Sequence, residues 1–500
     1  MKKANKLMLA AVLAVALPTG ALAAEADLQA KIDKLSQQME DLKGQVERIE
    51  DKSLGKWLSI SGDYRFRVDN LQASVKSYTD MRPAFATPPA AMAPITGYKY
   101  QNNLLYTNRF GLDLKAKATQ DVTVNVRLLA YKSFGDQSGD VTNAGFTPDR
   151  TAVMDGTLGH VPSSSLLNVD RAYATWSNIM DQPVWFSVGR RPSTNGAPTN
   201  LKANTARPGN GGTPALLVDY AFDGMTLGYA PDIEMLPGFY AKVCYGRGFD
   251  SGYNKNSFSA HNDLKDTDML GVAIIPVDTD PLRVWLQWNR GFNIFSNAPE
   301  TMGGVATNVG DIDWFGIGAM TTLKKVGPGD LNAFADFGLS VTRPNGKGFM
   351  GGMYGLGYGD VNVTGFGPPD KHDTTGYAIY TGLRYDFPSR TKLGFEYNYG
   401  SKNWITFAPA ADDMFTAKVG TRGHVFEPYV IQELNLKPIS SVFAKAFFKL
   451  AYQYYKFEYT GSNNWIGAPI AMKDVTPGTM LMGPAIEKAH NIYGTFEVHF

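Results

Sequence analysis

The fold is decided by a stretch that reads Leu58-Ser59-Ile60-Ser61-Gly62-Asp63-Tyr64-Arg65-Phe66-Arg67-Val68-Asp69. Its even positions are apolar or glycine, and its odd positions are polar. Successive side chains of a β-strand point to opposite faces, so this pattern predicts a strand with one apolar and one polar face. Soluble sheets alternate in the same way, so one strand alone does not identify the class of β protein.

The same alternation recurs along the chain and predicts sixteen strands. Leu112 and Leu114, for example, flank the polar Asp113. The predicted strands span residues 57–69, 104–118, 122–134, 166–177, 183–191, 217–230, 238–247, 267–276, 282–292, 311–323, 331–343, 375–387, 391–401, 424–436, 442–460 and 488–500.

Short and long connections alternate strictly between these strands. Outer-membrane barrels have an even number of strands, short periplasmic turns and long external loops. We therefore expect an all-β fold, a transmembrane antiparallel β-barrel of about 16 strands over residues 54–500. The expected location is the cell outer membrane, with both termini periplasmic and with membrane lipid and lipopolysaccharide around the barrel.

Closure of the sheet assigns the two faces. A barrel of about sixteen strands leaves a water-filled lumen, where charged side chains cost little. Phe66, Leu112, Val124 and Phe395 should then meet lipid. The expected ion pathway along the lumen contains Arg65, Arg67, Arg109, Lys115, Arg127 and Arg384, and the lumen should be basic on balance. Trp57, Trp176, Trp185, Trp314 and Trp404 fall near strand ends, as an interfacial aromatic girdle would place them.

The loop at residues 192–216 follows the fifth predicted strand, where general porins fold a loop into the lumen. Between Gly189 and Pro214 the chain contains no Asp or Glu. A loop whose charged side chains all have the same sign enriches counter-ions in a narrow opening. We therefore expect a basic constriction that favours anions. Its candidate residues are Arg190, Arg191, Lys202 and Arg207. The alternative is an external loop in contact with lipopolysaccharide phosphates.

The N-terminus differs from the rest of the chain. Residues 1–23 combine early lysines, a short apolar run and an Ala-Leu-Ala site, as in a cleaved signal peptide. Residues 24–53 predict a short α-helical coiled coil in the periplasm, which favours a homo-oligomer. The residues at its a and d positions favour a two-stranded coiled coil, a preference that an attached trimeric barrel could override. The alternative is a solvated amphipathic spacer. The seam consists of Leu28, Ile32, Leu35, Met39, Leu42, Val46 and Ile49.

Composition argues against other functions. The six histidines stand singly without metal-ligand spacing, so we expect no metal, no cofactor and no enzyme activity. The single cysteine, Cys244, excludes an intramolecular disulfide framework. Lys and Arg total 48 against 47 Asp and Glu, so the charge does not indicate a nucleic-acid partner.

Four segments carry a resemblance to known proteins. Tyr493-Gly-Thr-Phe-Glu-Val-His-Phe500 resembles the terminal signal of outer-membrane barrels. Leu54–Asp69 behind the heptad seam, Val169–Trp176 and Val188–Pro192 resemble an uncharacterised family of outer-membrane porins, a domain of unknown function found in anaerobic and often metal-respiring bacteria.

The resemblance implies passive diffusion of small hydrophilic solutes. Its alternative is a barrel that sleeves a multi-haem cytochrome in an outer-membrane electron conduit. The chain has no C-x-x-C-H motif, so any haem would belong to the partner. A sleeve needs a wide lumen, whereas a diffusion pore needs a loop folded inward.

Overall fold

The computed structural model describes residues 57–85, 89–136, 155–163, 165–208, 214–250, 265–295, 308–346, 372–436, 444–481 and 483–500. The predicted signal peptide and coiled coil lie outside these described residues. The chain divides into two compact units, residues 1–59 and 60–500. The second unit contains the barrel except for the first two residues of its first strand.

Sixteen strands close into an antiparallel barrel, which confirms the predicted fold class. The first half consists of β1 (Leu58–Val75), β4 (Tyr98–Lys117), β5 (Val122–Ser133), β6 (Asn168–Trp176), β7 (Val184–Arg190), β8 (Asp223–Tyr229), β9 (Tyr240–Phe249) and β10 (Thr267–Asp278). The second half consists of β11 (Leu282–Phe295), β12 (Asn308–Val326), β13 (Gly329–Pro344), β14 (Thr374–Asp386), β15 (Thr391–Gly400), β16 (Gly423–Glu433), β17 (Lys445–Phe457) and β19 (Ile486–His499). Pairing of β1 with β19 closes the ring.

Three further short strands, β2 (Tyr78–Asp80), β3 (Ala93–Ile95) and β18 (Met480–Leu481), form a separate small sheet. One α-helical turn covers Thr199–Lys202. The 3-10 turns are Arg82–Phe85, Asp155–Thr157, Ile179–Asp181, Lys418–Gly420 and Met472–Asp474. No helix among the described residues is long and apolar enough to cross a membrane.

The outer face of the sheet is apolar across neighbouring strands. Ile274, Leu286, Ile317 and Phe337 lie side by side in register on β10 to β13, and all four are exposed. Residues of the opposite parity, such as Gln287, are buried inside the barrel. The period-two alternation therefore divides the wall into an outer and an inner face, as expected for a closed sheet.

The predicted strand starting at residue 217 begins instead at Asp223. Leu217 and Val218 are apolar and nearly inaccessible, but they belong to a loop packed inside the barrel. The girdle assignment is also wrong for Trp314 and Trp404, which are buried in the same interior cluster. Local sequence cannot separate these cases, because a buried loop and a buried strand both need apolar side chains.

Candidate functional site

Residues 191–208 and 214–222, from the connection that follows β7, fold into the barrel, and we call these described residues the first inward loop. Its helical turn presents main-chain oxygens to the inner wall. The Arg384 guanidinium on β14 donates to the Leu201 carbonyl at 2.6 Å, and Lys449 Nζ on β17 donates to the Lys202 carbonyl at 3.2 Å. These contacts fix the middle of the loop against the far side of the lumen from its origin on β7.

The first inward loop reaches nearly across the height of the barrel. It leaves β7 at the rim that carries the long connections. Asn204 contacts Lys392 Nζ at 2.6 Å and Glu433 at 2.8 Å. Lys392 and Glu433 stand at the ends of β15 and β16 beside the short turns. The loop therefore extends far into the barrel from the rim where it begins.

A second loop, residues 401–422, also lies inside the barrel, and sequence reasoning missed it. Trp404, Ile405 and Phe415 are nearly inaccessible to solvent. Trp314 Nε1 on β12 donates to the Ile405 carbonyl at 2.9 Å, and Tyr455 on β17 donates to the Thr416 carbonyl at 3.0 Å. The available signal was its content of large apolar residues, which a solvated external loop does not need.

The two inward loops are joined by main-chain hydrogen bonds, and we call them together the loop pair. The amide of Asp219 donates to the Phe407 carbonyl at 2.8 Å, and the Phe407 amide donates to the Leu217 carbonyl at 3.0 Å. The Thr406 hydroxyl adds a bond of 2.7 Å to the Leu216 carbonyl. The loops therefore form one packed unit inside the lumen.

A buried charge cluster ties the loop pair to the wall. Lys202 Nζ lies 3.1 Å from both carboxylate oxygens of Glu427 on β16 and 3.4 Å from Asp413. Lys418 contacts Glu427 and also Glu396 on β15. Burial alone would lower the pKa of Lys418, but these glutamates hold it well above its usual range. Each cation is thus matched by wall or loop carboxylates.

The structure places Arg67, Arg109, Arg127 and Arg384 on the inner face with carboxylate partners. Arg67 forms a fork on Asp69, with distances of 2.7 to 2.9 Å. The other pairs are Arg109 with Asp63, Arg127 with Asp63 and Asp113, and Arg384 with Asp386. Lys115 shares the inward parity of Arg109 and Asp113 on β4.

The expectation that basic side chains outnumber acidic ones in the lumen therefore rested on an incomplete set of residues. It left out acidic residues that face inward, among them Asp336 of β13, Asp412 and Asp413 of the second inward loop, Glu427 and Glu433 of β16, and Glu497 of β19. Glu427 and Glu433 occupy alternate positions of a predicted strand, so parity alone could have assigned them to the lumen. The loop carboxylates had no such signal.

Arg190 does not face the lumen, so its assignment to the ion pathway is wrong. It has the outward parity of Val188, and its guanidinium contacts Asp155 and Asp223 at the long-loop rim. Arg191, one residue later, points inward, where it contacts the hydroxyl groups of Thr226 and Ser187. Alternation along a strand sends neighbouring side chains to opposite faces.

The remaining candidates also have defined places. Arg207 is half-exposed and lies 3.3 Å from Asp278 and 3.5 Å from Asp280, near a short turn. Arg65, buried on β1, contacts Asp412 of the second inward loop. Within the described residues, no group of three or more His, Cys, Asp or Glu side chains could hold a metal ion.

Comparisons with solved structures find matches of low sequence identity. OmpT, an outer membrane protein of Vibrio cholerae in its trimer form, has 13% identity and a TM-score of 0.39, covering 89% of this chain and 99% of that one. OmpF of Salmonella typhi with daunomycin has 10% identity and a TM-score of 0.40, covering 88% and 97%. OprB of Pseudomonas putida has 10% identity and a TM-score of 0.44, covering 89% and 95%.

Comparison with curated proteins finds no match. A family model described as a protein of unknown function, DUF3373, matches residues 99–500. This match spans most of the barrel, from β4 through β19. The chain therefore belongs to the DUF3373 family.

Proposed function

We propose that the protein is an outer-membrane porin through which small hydrophilic solutes, preferentially anions, diffuse passively. Its closed sheet, with an apolar outer face, supports this proposal. In lipid, every main-chain donor and acceptor must be paired within the protein, and a closed barrel meets that condition. The short turns and both termini would then face the periplasm, with lipid and lipopolysaccharide around the barrel.

The observation that carries the proposal is the loop pair inside the lumen. A barrel of about sixteen strands without such loops would leave a wide aqueous passage. Loops that cross the lumen narrow it and bring charged side chains close to any permeating solute. The same loops count against the alternative of a sleeve around a cytochrome, because a sleeve needs that space for another protein.

Arg191 is the best-placed source of an anion preference. Most of the predicted cations are offset by carboxylates, whereas Arg191 contacts the hydroxyl groups of Thr226 and Ser187. Lys242 lies on the inner face of β9, close enough to Arg191 for their charges to interact. Basic side chains along a pore favour anions, and their binding must stay weak enough for the ion to leave.

Reversal potential in a salt gradient across a planar bilayer tests the anion preference. The wild type should favour chloride over potassium. Arg191→Gln should reduce this preference, whereas Arg190→Gln, which changes a neighbouring arginine on the outer face, should leave it unchanged. A cation-selective wild type, or equal effects of the two variants, would contradict the proposal.

A further inference from the structure

A small cavity lies between the loop pair and the inner wall. Its volume is about 90 Å³, and its lining includes the cations Arg65, Arg109, Lys202, Lys418 and Lys449 and the acidic residues Asp219, Asp412, Asp413 and Glu497. Because a cavity needs only about 10–15 Å³ of such space to hold one water molecule, this cavity has room for a solute of several non-hydrogen atoms. A small carboxylate or oxyanion has that size.

One carboxylate of the protein already occupies the cationic side of this cavity. Arg65 holds Asp412 in a fork, in which Nη1 contacts one carboxylate oxygen and Nη2 donates to the other at 2.9 Å. Arg109 Nη1 lies 3.6 Å from the same carboxylate. Planar guanidinium groups bind carboxylates and other oxyanions in this bidentate geometry.

The two partners belong to different parts of the molecule. Arg65 is on a wall strand, its side chain is 4% exposed, and Nη2 also donates to the Tyr131 hydroxyl at 2.9 Å. Asp412 is on the second inward loop, and its side chain is 28% exposed. The cation is therefore held in place by the wall, while the carboxylate is accessible from the cavity and is carried by a loop.

Protein acceptors do not use every donor of the two guanidinium groups. Among the described residues, the Nε atoms of Arg65 and Arg109 are buried without a hydrogen-bond partner. An ion pair that served only to fasten the loop would need neither a second guanidinium nor an adjoining space.

We infer that Arg65 and Arg109 form a binding site for a small carboxylate or oxyanion, and that Asp412 occupies this site in the absence of solute. An entering anion takes the place of Asp412 in the guanidinium fork, so the charge at the fork is unchanged. The inference rests on the proposed pore only for the route by which solute enters. A carboxylate tethered by a short segment acts at about millimolar effective concentration, so the solute should bind in that range.

Acetate relaxation, measured by nuclear magnetic resonance on the full-length barrel in detergent, tests the site without requiring conduction. Asp412→Asn removes the internal competitor while Arg65 remains, so acetate affinity should rise about tenfold or more. Arg65→Gln should abolish binding. The matched control is Asp268→Asn, which breaks a similar arginine fork, that of Arg247 on the outer face, and should leave acetate affinity unchanged.

Heat-modifiable gel mobility should show that each variant is a folded barrel, and Asp412→Ser replaces Asp412→Asn if the latter does not fold. The inference is overturned if removal of the Asp412 carboxylate leaves acetate affinity unchanged, or if Arg65→Gln still binds acetate. Binding without any channel conductance would contradict the porin proposal but support this site. Channel conductance without acetate binding would support the porin proposal but contradict this site.

Discussion

Gly338 of β13 packs directly against the indole ring of Trp404 in the second inward loop. A Cβ atom placed on Gly338 would lie 2.8 Å from Trp404 Cη2 and 3.1 Å from Leu217 Cδ2 of the first inward loop. The absent side chain at Gly338 therefore allows both inward loops to approach the wall. The position of the loop pair depends on this close packing.

Gly338→Ala should displace the loop pair. Overpacking a core usually costs about 1 to 3 kcal/mol, so we expect a lower unfolding temperature and a higher single-channel conductance. Gly248→Ala is the control, because a Cβ on Gly248 would meet only ordinary contacts at 3.5 Å and beyond. Equal conductance in the wild type and Gly338→Ala would show that the loop pair does not limit the current.

Sequence patterns predicted the strands of the barrel wall better than the contacts made by the loops inside it. All sixteen barrel strands were predicted, because each must repeat the same alternation to separate lipid from lumen. The inward position of Lys202 was also expected from porin architecture. The partners of Arg65 and Lys202 were not, because Asp412 and Asp413 lie more than two hundred residues away in a loop without periodicity. Residue types indicate which groups are charged, but tertiary packing decides which charges meet.

Asp219 of the first inward loop should make stability depend on pH. Burial raises the pKa of this carboxyl from 3.8 to about 7, although His160 opposes the effect. Between these values the folded state binds more protons than the unfolded state, so stability should fall as pH rises from 4 to 7. The full effect is at most about 4 kcal/mol.

Unfolding temperatures at acidic and slightly alkaline pH measure this effect. The wild type should be less stable at the higher pH, and Asp219→Asn should reduce the difference because it has no proton to lose. Asp232→Asn, on an exposed short turn, should retain the wild-type difference. The same pH dependence in all three proteins would rule out Asp219 as its origin. Asp170 and Asp412 add to the effect of burial and raise the pKa of the Asp219 carboxyl further.

Cysteine labelling should distinguish the two faces of the wall. In a Cys244→Ser background, Lys115→Cys on the inner face should react with a small charged thiol reagent. Val124→Cys, whose side chain faces outward on the adjacent strand, should not react in membranes. Reversed labelling would indicate a register shifted by one residue, since such a shift exchanges the two faces.

The coiled coil at residues 24–53 remains a prediction, since it lies outside the described residues. We expect it to stand in the periplasm and to bring three barrels together. Leu35→Asp combined with Leu42→Asp would bury charge in the seam and should dissociate the assembly. Native molecular mass in detergent measures this, with Lys34→Asp at a polar position as the control. An unchanged mass in the double variant would make the segment a spacer.

Single-channel recording in planar bilayers tests the central claim, that the barrel is an aqueous pore narrowed by its loop pair. Purified wild-type protein should insert in discrete steps, each with a current proportional to salt concentration. Gly338→Ala should give larger steps at the same salt concentration. Folded wild-type protein that inserts into the bilayer and carries no current would contradict the account.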